Sequence, residues 1–169
     1  MADDDTGIAA DATREITFSR GPLRFRAADT GPADGEPVVL LHGFPQRVSS
    51  WDAVAPLLHE AGLRTLALEQ RGYCATARPA GRRAYRLPEL VDDVEALLDA
   101  AGLDSAHVVG HDWGAGVAWG LAGAHPERVR TLTAVSVPHP AAFMKAMVTS
   151  DQLRRSWYMG FFQLPAVPE

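Results

Sequence analysis

Cysteine is almost missing from this 169-residue chain, with Cys74 standing alone. An internal disulfide is therefore excluded, and a reducing compartment is expected. Lysine is as scarce: Lys145 is the only lysine among the 16 Lys and Arg residues. The arginines are scattered and the net charge is −5, so nothing offers the basic patch that a nucleic-acid backbone requires. No apolar run approaches the roughly 18 residues of a membrane helix. The start, Met1-Ala2-Asp3-Asp4-Asp5, is acidic, unlike a secretory signal or a transit peptide. Repeats, low-complexity tracts and cofactor or metal motifs are also lacking. A cytoplasmic protein with no cofactor, no membrane and no nucleic-acid partner is expected.

The apolar share of 47% is enough for one globular domain with a real core. Residues 1–12 read as a disordered acidic tail. Arg14–Ser19 and Leu23–Ala28 alternate in polarity around Arg20-Gly21-Pro22, which predicts a hairpin. Asp29–Pro37 reads as a loop. Val38-Val39-Leu40-Leu41 is a continuous apolar run, the mark of a strand buried on both faces of a parallel sheet. Trp51, Val54, Leu57 and Leu58 predict a helix over Ser50–Glu60, capped by Ser49 or Ser50 and stopped at Gly62. Arg64–Leu68 and Val129–Val137 read as strands. Leu87–Ala101 carries Leu90, Val94, Leu97 and Leu98 on one helical face. Strands alternating with helices after an antiparallel start predict an α/β fold, with ligands at the carboxyl ends of its strands.

Gly110-His111-Asp112-Trp113-Gly114 is the most informative stretch. It follows the apolar run Ala106–Val109 and opens a small-residue helix from Ala115 to Ala122. Strand, sharp turn and helix form the setting in which a nucleophile is raised above a sheet. Gly110 and Gly114 remove the Cβ atoms that would crowd such a turn. The middle position is usually Ser; here it is a carboxylate, suited to attack a saturated electrophilic carbon and form an alkyl ester. A helix cap is the plainer role for Asp112, but capping does not require glycines on both sides. His42-Gly43-Phe44-Pro45 ends an earlier strand, and its turn can aim backbone N–H groups above the elbow. The N–H groups of Phe44 and Trp113 would form a two-donor oxyanion hole. Glu69-Gln70-Arg71-Gly72-Tyr73 ends the next strand and is expected to brace the site.

These motifs, together with Arg78-Pro79, His125-Pro126-Glu127-Arg128-Val129 and Val137-Pro138-His139-Pro140, occur in the order seen in α/β-hydrolase-fold epoxide hydrolases, which the chain resembles from about residue 14 onward. The resemblance implies a mostly parallel sheet with an antiparallel N-terminal hairpin, a partial hydrolase core over 13–150 and the start of a cap over 151–169. It also implies that the last strands and most of the cap are absent. Asp112 matches the nucleophile, with His42, Gly43, Phe44 and Trp113 around it. In the tail, Arg155–Pro165 resembles the first cap segment, and Tyr158 matches a lid tyrosine that donates to the epoxide oxygen. The plainer role for Trp157, Tyr158, Phe161 and Phe162 is helix packing. Thr76 and Glu69 stand where relatives often have Ser and Asp.

Hydrolysis of the ester requires a base, normally His oriented by an acid. In the resembled family both come from later strands, beyond Glu169, so a catalytically incomplete hydrolase is expected. Of the six histidines, only His139 is expected at the reacting edge of the sheet, and its Val-Pro-His-Pro setting suggests loop shaping. The expected substrate is a small hydrophobic epoxide or a similar electrophile. A haloalkane dehalogenase would share the Asp-Trp pair, but Phe44 stands where its halide-binding Asn is common. A fluoroacetate-type dehalogenase would need Arg at Trp113. A non-catalytic fragment or partner-binding subunit is the other alternative, with the strand at 129–137 left as an unpaired edge that invites a homodimer or a complementing chain.

Overall fold

A computed structural model describes residues 13–161. The expected acidic tail and Phe162 lie outside the described residues. The chain divides into two units, 1–137 and 138–169.

In the first unit six strands form one sheet in the order β1-β2-β4-β3-β5-β6. These are β1 (Arg14–Arg20), β2 (Leu23–Thr30), β3 (Glu36–Leu41), β4 (Leu63–Leu68), β5 (Ala106–His111) and β6 (Val129–Val135). The β1–β2 hairpin joins β4 antiparallel, whereas β4–β3, β3–β5 and β5–β6 are parallel. This is the α/β-hydrolase arrangement expected. Among the described residues, β6 is paired only to β5.

Both faces of β3 are covered, which explains its unbroken apolar run. Val39 and Leu41 join the larger core beneath the helices α2 (Leu87–Ala100) and α3 (Trp113–Ala124). Val38 and Leu40 pack with Trp51 and Ala67 on the opposite side. On α2 the buried stripe comprises Val91, Val94, Leu97 and Leu98, while Leu90 is half-buried. Asp93 is buried in the same helix. It receives both Arg71 Nη2 at 2.7 Å and Arg71 Nε at 2.8 Å, with Arg20 Nη1 at 2.8 Å. This paired arrangement offsets the desolvation of a buried carboxylate.

Two local expectations need correction. The single helix over 50–60 is a short 3-10 turn at Val48–Trp51 followed by α1 (Ala55–Glu60). Pro56 explains the break: its ring and missing N–H are tolerated at a helix start but not inside one. Neither Ser49 nor Ser50 caps α1, whose cap position is Val54, and Ser50 Oγ instead donates to Arg47 O at 2.8 Å. Gly62 does follow the helix in a left-handed conformation, φ 81°. The loop expected over Asp29–Pro37 is shorter, because Asp29 and Thr30 belong to β2 and Glu36 and Pro37 to β3. Asp29 is buried there and accepts from Arg64 Nε and Nη2, both at 2.8 Å, and from Arg14 Nη2 at 3.0 Å.

The second unit holds α4 (Pro140–Thr149), α5 (Gln152–Arg155) and α6 (Trp157–Phe161). His139 caps α4, its Nδ1 accepting from the Ala141 N–H at 3.1 Å, and Pro140 occupies the first turn, where its missing N–H costs nothing. No helix among the described residues is long and apolar enough to cross a membrane.

Candidate active site

The chain passes from β3 to β4 on one side and later returns to place β5 on the other side of β3. Ligands of open α/β sheets bind at such a reversal, outside the carboxyl ends of the strands. The two segments leaving those ends are His42–Pro45 after β3 and His111–Gly114 around the end of β5.

Asp112 sits between β5 and α3 with φ 52° and ψ −120°, a conformation that an L-residue adopts only when its surroundings impose it. The glycines make this turn achievable. A Cβ on Gly114 would be driven into the carbonyl of Leu41, and one on Gly110 into the carbonyl of Gly114. Gly43 is needed as well, since a Cβ there would lie 2.5 Å from Asp112 Cβ. The Asp112 N–H donates to Val135 O at 3.2 Å, which ties the elbow to β6.

Although Asp112 occupies the N-cap position of α3, its side chain makes no capping hydrogen bond. Its carboxylate instead accepts from the Phe44 N–H, with Oδ1 at 2.9 Å. Trp113 is the first residue of α3, where backbone N–H groups have no intrahelical partner. The side chains of Phe44 and Trp113 are 64% and 60% exposed, so Asp112 is flanked by open apolar surface.

Behind this front the residues are buried. His42 is fully enclosed, and burial pushes its pKa below the ordinary imidazole value, against the opposing hydrogen bond to Gly43 O and the charge of Glu69. His42 Nδ1 donates to Gly43 O at 3.1 Å, and Nε2 accepts from the Gln70 N–H at 3.5 Å. Gln70 Nε2 also donates to His42 O at 2.5 Å. The Tyr73 ring meets the His42 ring edge-on, with centroids 4.6 Å apart. Burial first, and then the Asp112 charge, raise the Tyr73 phenol above its ordinary value. His111 turns away, its Nδ1 2.8 Å from Gln46 Oε1.

His42, Gly43, Phe44, Asp112 and Trp113 thus come together at the strand ends. Tyr158 lies on α6 in the second unit, where it is half-exposed. The hydrogen bonds of Gln70 to His42 and the buried Arg71–Asp93 pair were not foreseen residue by residue. The polar run Glu69–Tyr73 immediately after an apolar strand was their only signal. Among the described residues no cluster of His, Cys, Asp and Glu is suited to a metal ion.

Residues 36–166 match the family model described as alpha/beta hydrolase fold. The AB hydrolase superfamily protein YfhM of Bacillus subtilis is 40% identical over 149 residues, covering 87% of this chain and 52% of that protein. Epoxide hydrolase B of Mycobacterium tuberculosis is 47% identical over 124 residues, which is 73% of this chain and 35% of the relative. The crystal structure of epoxide hydrolase A from Mycobacterium thermoresistibile superposes with a TM-score of 0.77 at 34% identity, over 92% of this chain and 50% of that one. The chain therefore spans about half the length, or less, of these relatives. From the elbow, the switch-point site and these matches together, the chain belongs to the α/β-hydrolase-fold family and resembles its epoxide hydrolases.

Proposed function

We propose that this chain carries the nucleophilic half of an epoxide hydrolase-type site. One observation carries this reading: Asp112 is held at a left-handed elbow with its carboxylate turned to the Phe44 N–H rather than to the helix it precedes. In the first step the Asp112 carboxylate oxygen attacks an epoxide carbon. The ring C–O bond breaks, its electron pair goes to the ring oxygen, and Tyr158 supplies that oxygen with a proton. The product is an Asp112 alkyl ester. In the second step water attacks the ester carbonyl and the Phe44 and Trp113 N–H groups bear the oxyanion. The alkyl C–O–acyl linkage then breaks at the acyl carbon. One water proton goes to the leaving alkoxide, which departs as the diol, the other goes to the Tyr158 phenolate, and the Asp112 carboxylate is restored.

That second step needs a base. His42 is buried and hydrogen-bonded on both ring nitrogens, and His139 caps α4. The base and its orienting acid are therefore sought outside these two histidines. The exposed apolar flanks Phe44 and Trp113 favour a small hydrophobic epoxide as substrate.

The test is intact mass after incubation with a small terminal epoxide, with diol followed in the same sample. A stoichiometric adduct on Asp112 without diol is expected. Steady diol formation by the chain alone would remove the need for an external base. Neither adduct nor diol on folded protein would overturn the proposed nucleophile.

A further inference from the structure

We propose that His42, held by Gln70, is the positioning device that aims the Phe44 N–H at Asp112. This rests on the reading of Asp112 as the nucleophile, but its geometric content stands on its own.

The Gly43 carbonyl and the Phe44 N–H belong to one peptide unit, and that unit is planar and rigid. Its two ends are held from opposite sides. His42 Nδ1–H donates to the Gly43 oxygen at 3.1 Å, and the Phe44 N–H donates to Asp112 Oδ1 at 2.9 Å. Rotation of the plane would break both bonds at once. With no Cβ at Gly43, the peptide lies directly against the Asp112 side chain, where any other residue would clash. A hydrogen bond accepted at the carbonyl also polarises the amide, which strengthens the donor at its other end.

The imidazole can serve this way only in one form. Nδ1 must carry the proton, and Nε2 must accept from the Gln70 N–H. Gln70 adds a second hold, its side-chain amide donating to His42 O at 2.5 Å. A protonated imidazole would set an Nε2–H against the Gln70 N–H, donor facing donor. Full burial of the ring opposes that state, with Arg47 helping and Glu69 resisting. The edge of the ring is closed by Tyr73. Gln70 is itself buried, so its bonds are not exchanged with solvent. The series Gln70, His42, Gly43–Phe44, Asp112 links the loop after β4 to the elbow after β5 across the intervening strand β3.

The experiment compares Gln70→Met, which retains size and the backbone N–H but loses the side-chain amide, with wild type and Asp112→Ala. The Phe44 amide resonance is followed by 1H–15N NMR. In wild type this proton is expected downfield, as befits a donor to a carboxylate. In both variants it should move upfield, while the dispersion of the remaining spectrum shows an intact fold. If Gln70→Met does not fold, Gln70→Glu replaces it. Its carboxylate cannot donate to His42 O, but its acid form can, so the Phe44 resonance should return downfield as the pH falls through the Glu titration. A folded Gln70→Met or Gln70→Glu protein with an unmoved Phe44 resonance would overturn the proposal. If wild type forms neither adduct nor diol, the nucleophile reading fails while the resonance comparison still decides the positioning role.

Discussion

The sheet and helices beneath Asp112 and the helices after Pro138 are both rich in apolar residues, yet they treat them differently. Through β3, β4, β5, α2 and α3, side chains at the expected spacings are sealed: Leu41, Leu68, Leu97 and Val108 are fully buried. On α4, which has no buried residue, Val148 is 82% exposed, and on α5 and α6 Leu153 and Trp157 are also largely exposed. Pattern alone therefore does not bury a side chain; an opposing surface must exist. In the first unit the sheet provides it on both faces. In the second, short helices are held chiefly by local bonds, such as Gln152 Nε2 to Ser156 Oγ at 2.8 Å and Arg155 Nε to Asp151 Oδ2 at 2.8 Å. Exposed pairs of the second kind contribute little stability.

The sharpest division between the regions lies in chemistry. Asp112→Asn should abolish the epoxide adduct seen by mass, because a neutral amide is not the required nucleophile. Tyr158→Phe should slow adduct formation by about a hundredfold while leaving it detectable, the scale of losing a general acid. Equal loss in the two variants would erase the difference in their roles.

Stability gives the next contrast. Leu97→Ala should cost about 2–5 kcal/mol in chemical denaturation, since it removes a fully buried side chain and leaves a cavity. Val148→Ala should change stability by no more than about 0.5 kcal/mol. A large effect at Val148 would show that α4 has a covering surface in solution.

Acid should loosen the first region through His42. Its folded-state pKa is depressed, chiefly by burial, so the unfolded chain binds the proton more readily. The contribution is fully present above the unfolded value of about 6.5 and is lost as pH falls from there through the folded pKa. A wild-type Tm that declines over this window more steeply than that of folded His42→Gln is expected. Parallel profiles would remove His42 as the cause.

The smallest effect is expected between the two regions. Ser136 has φ 71°, a left-handed conformation that disfavours residues with a Cβ. Ser136→Gly should stabilise by up to about 1 kcal/mol, less the extra backbone freedom of glycine when unfolded. Thermal unfolding measures the balance, and a fall in Tm would show that the serine side chain makes a compensating interaction.

Much of the framework was legible because it depends on local pattern. Alternation marked the hairpin, the unbroken run Val38–Leu41 marked a doubly buried strand, and paired glycines marked the elbow. Pro56 was visible too, but a spacing rule applied without backbone chemistry joined two elements that it separates. His139 and Pro140 announce the start of helix α4, which buries no side chain to mark its length. Asp93 was less accessible to sequence reading, because an acid in the middle of a helix normally faces water, and here its partners Arg20 and Arg71 arrive from β1 and from the loop after β4.

The sequence by itself determined the α/β pattern, the turn at Gly110 and the placement of a carboxylate beside it, because periodicity and the crowding of Gly110 against Gly114 act among neighbouring residues, whereas Gly114 is required by the Leu41 carbonyl of β3. Only the tertiary structure decided where that carboxylate points. Its Oδ1 meets the N–H of Phe44, 68 positions away along the chain, because the reversal of strand order makes β3 and β5 neighbours. His42 became a strut for the same reason: β4 lies beside β3, and the adjoining loop presents Gln70 to an imidazole already removed from water. Local sterics act along the chain, whereas hydrogen-bond direction in a buried site depends on which strands the fold brings side by side.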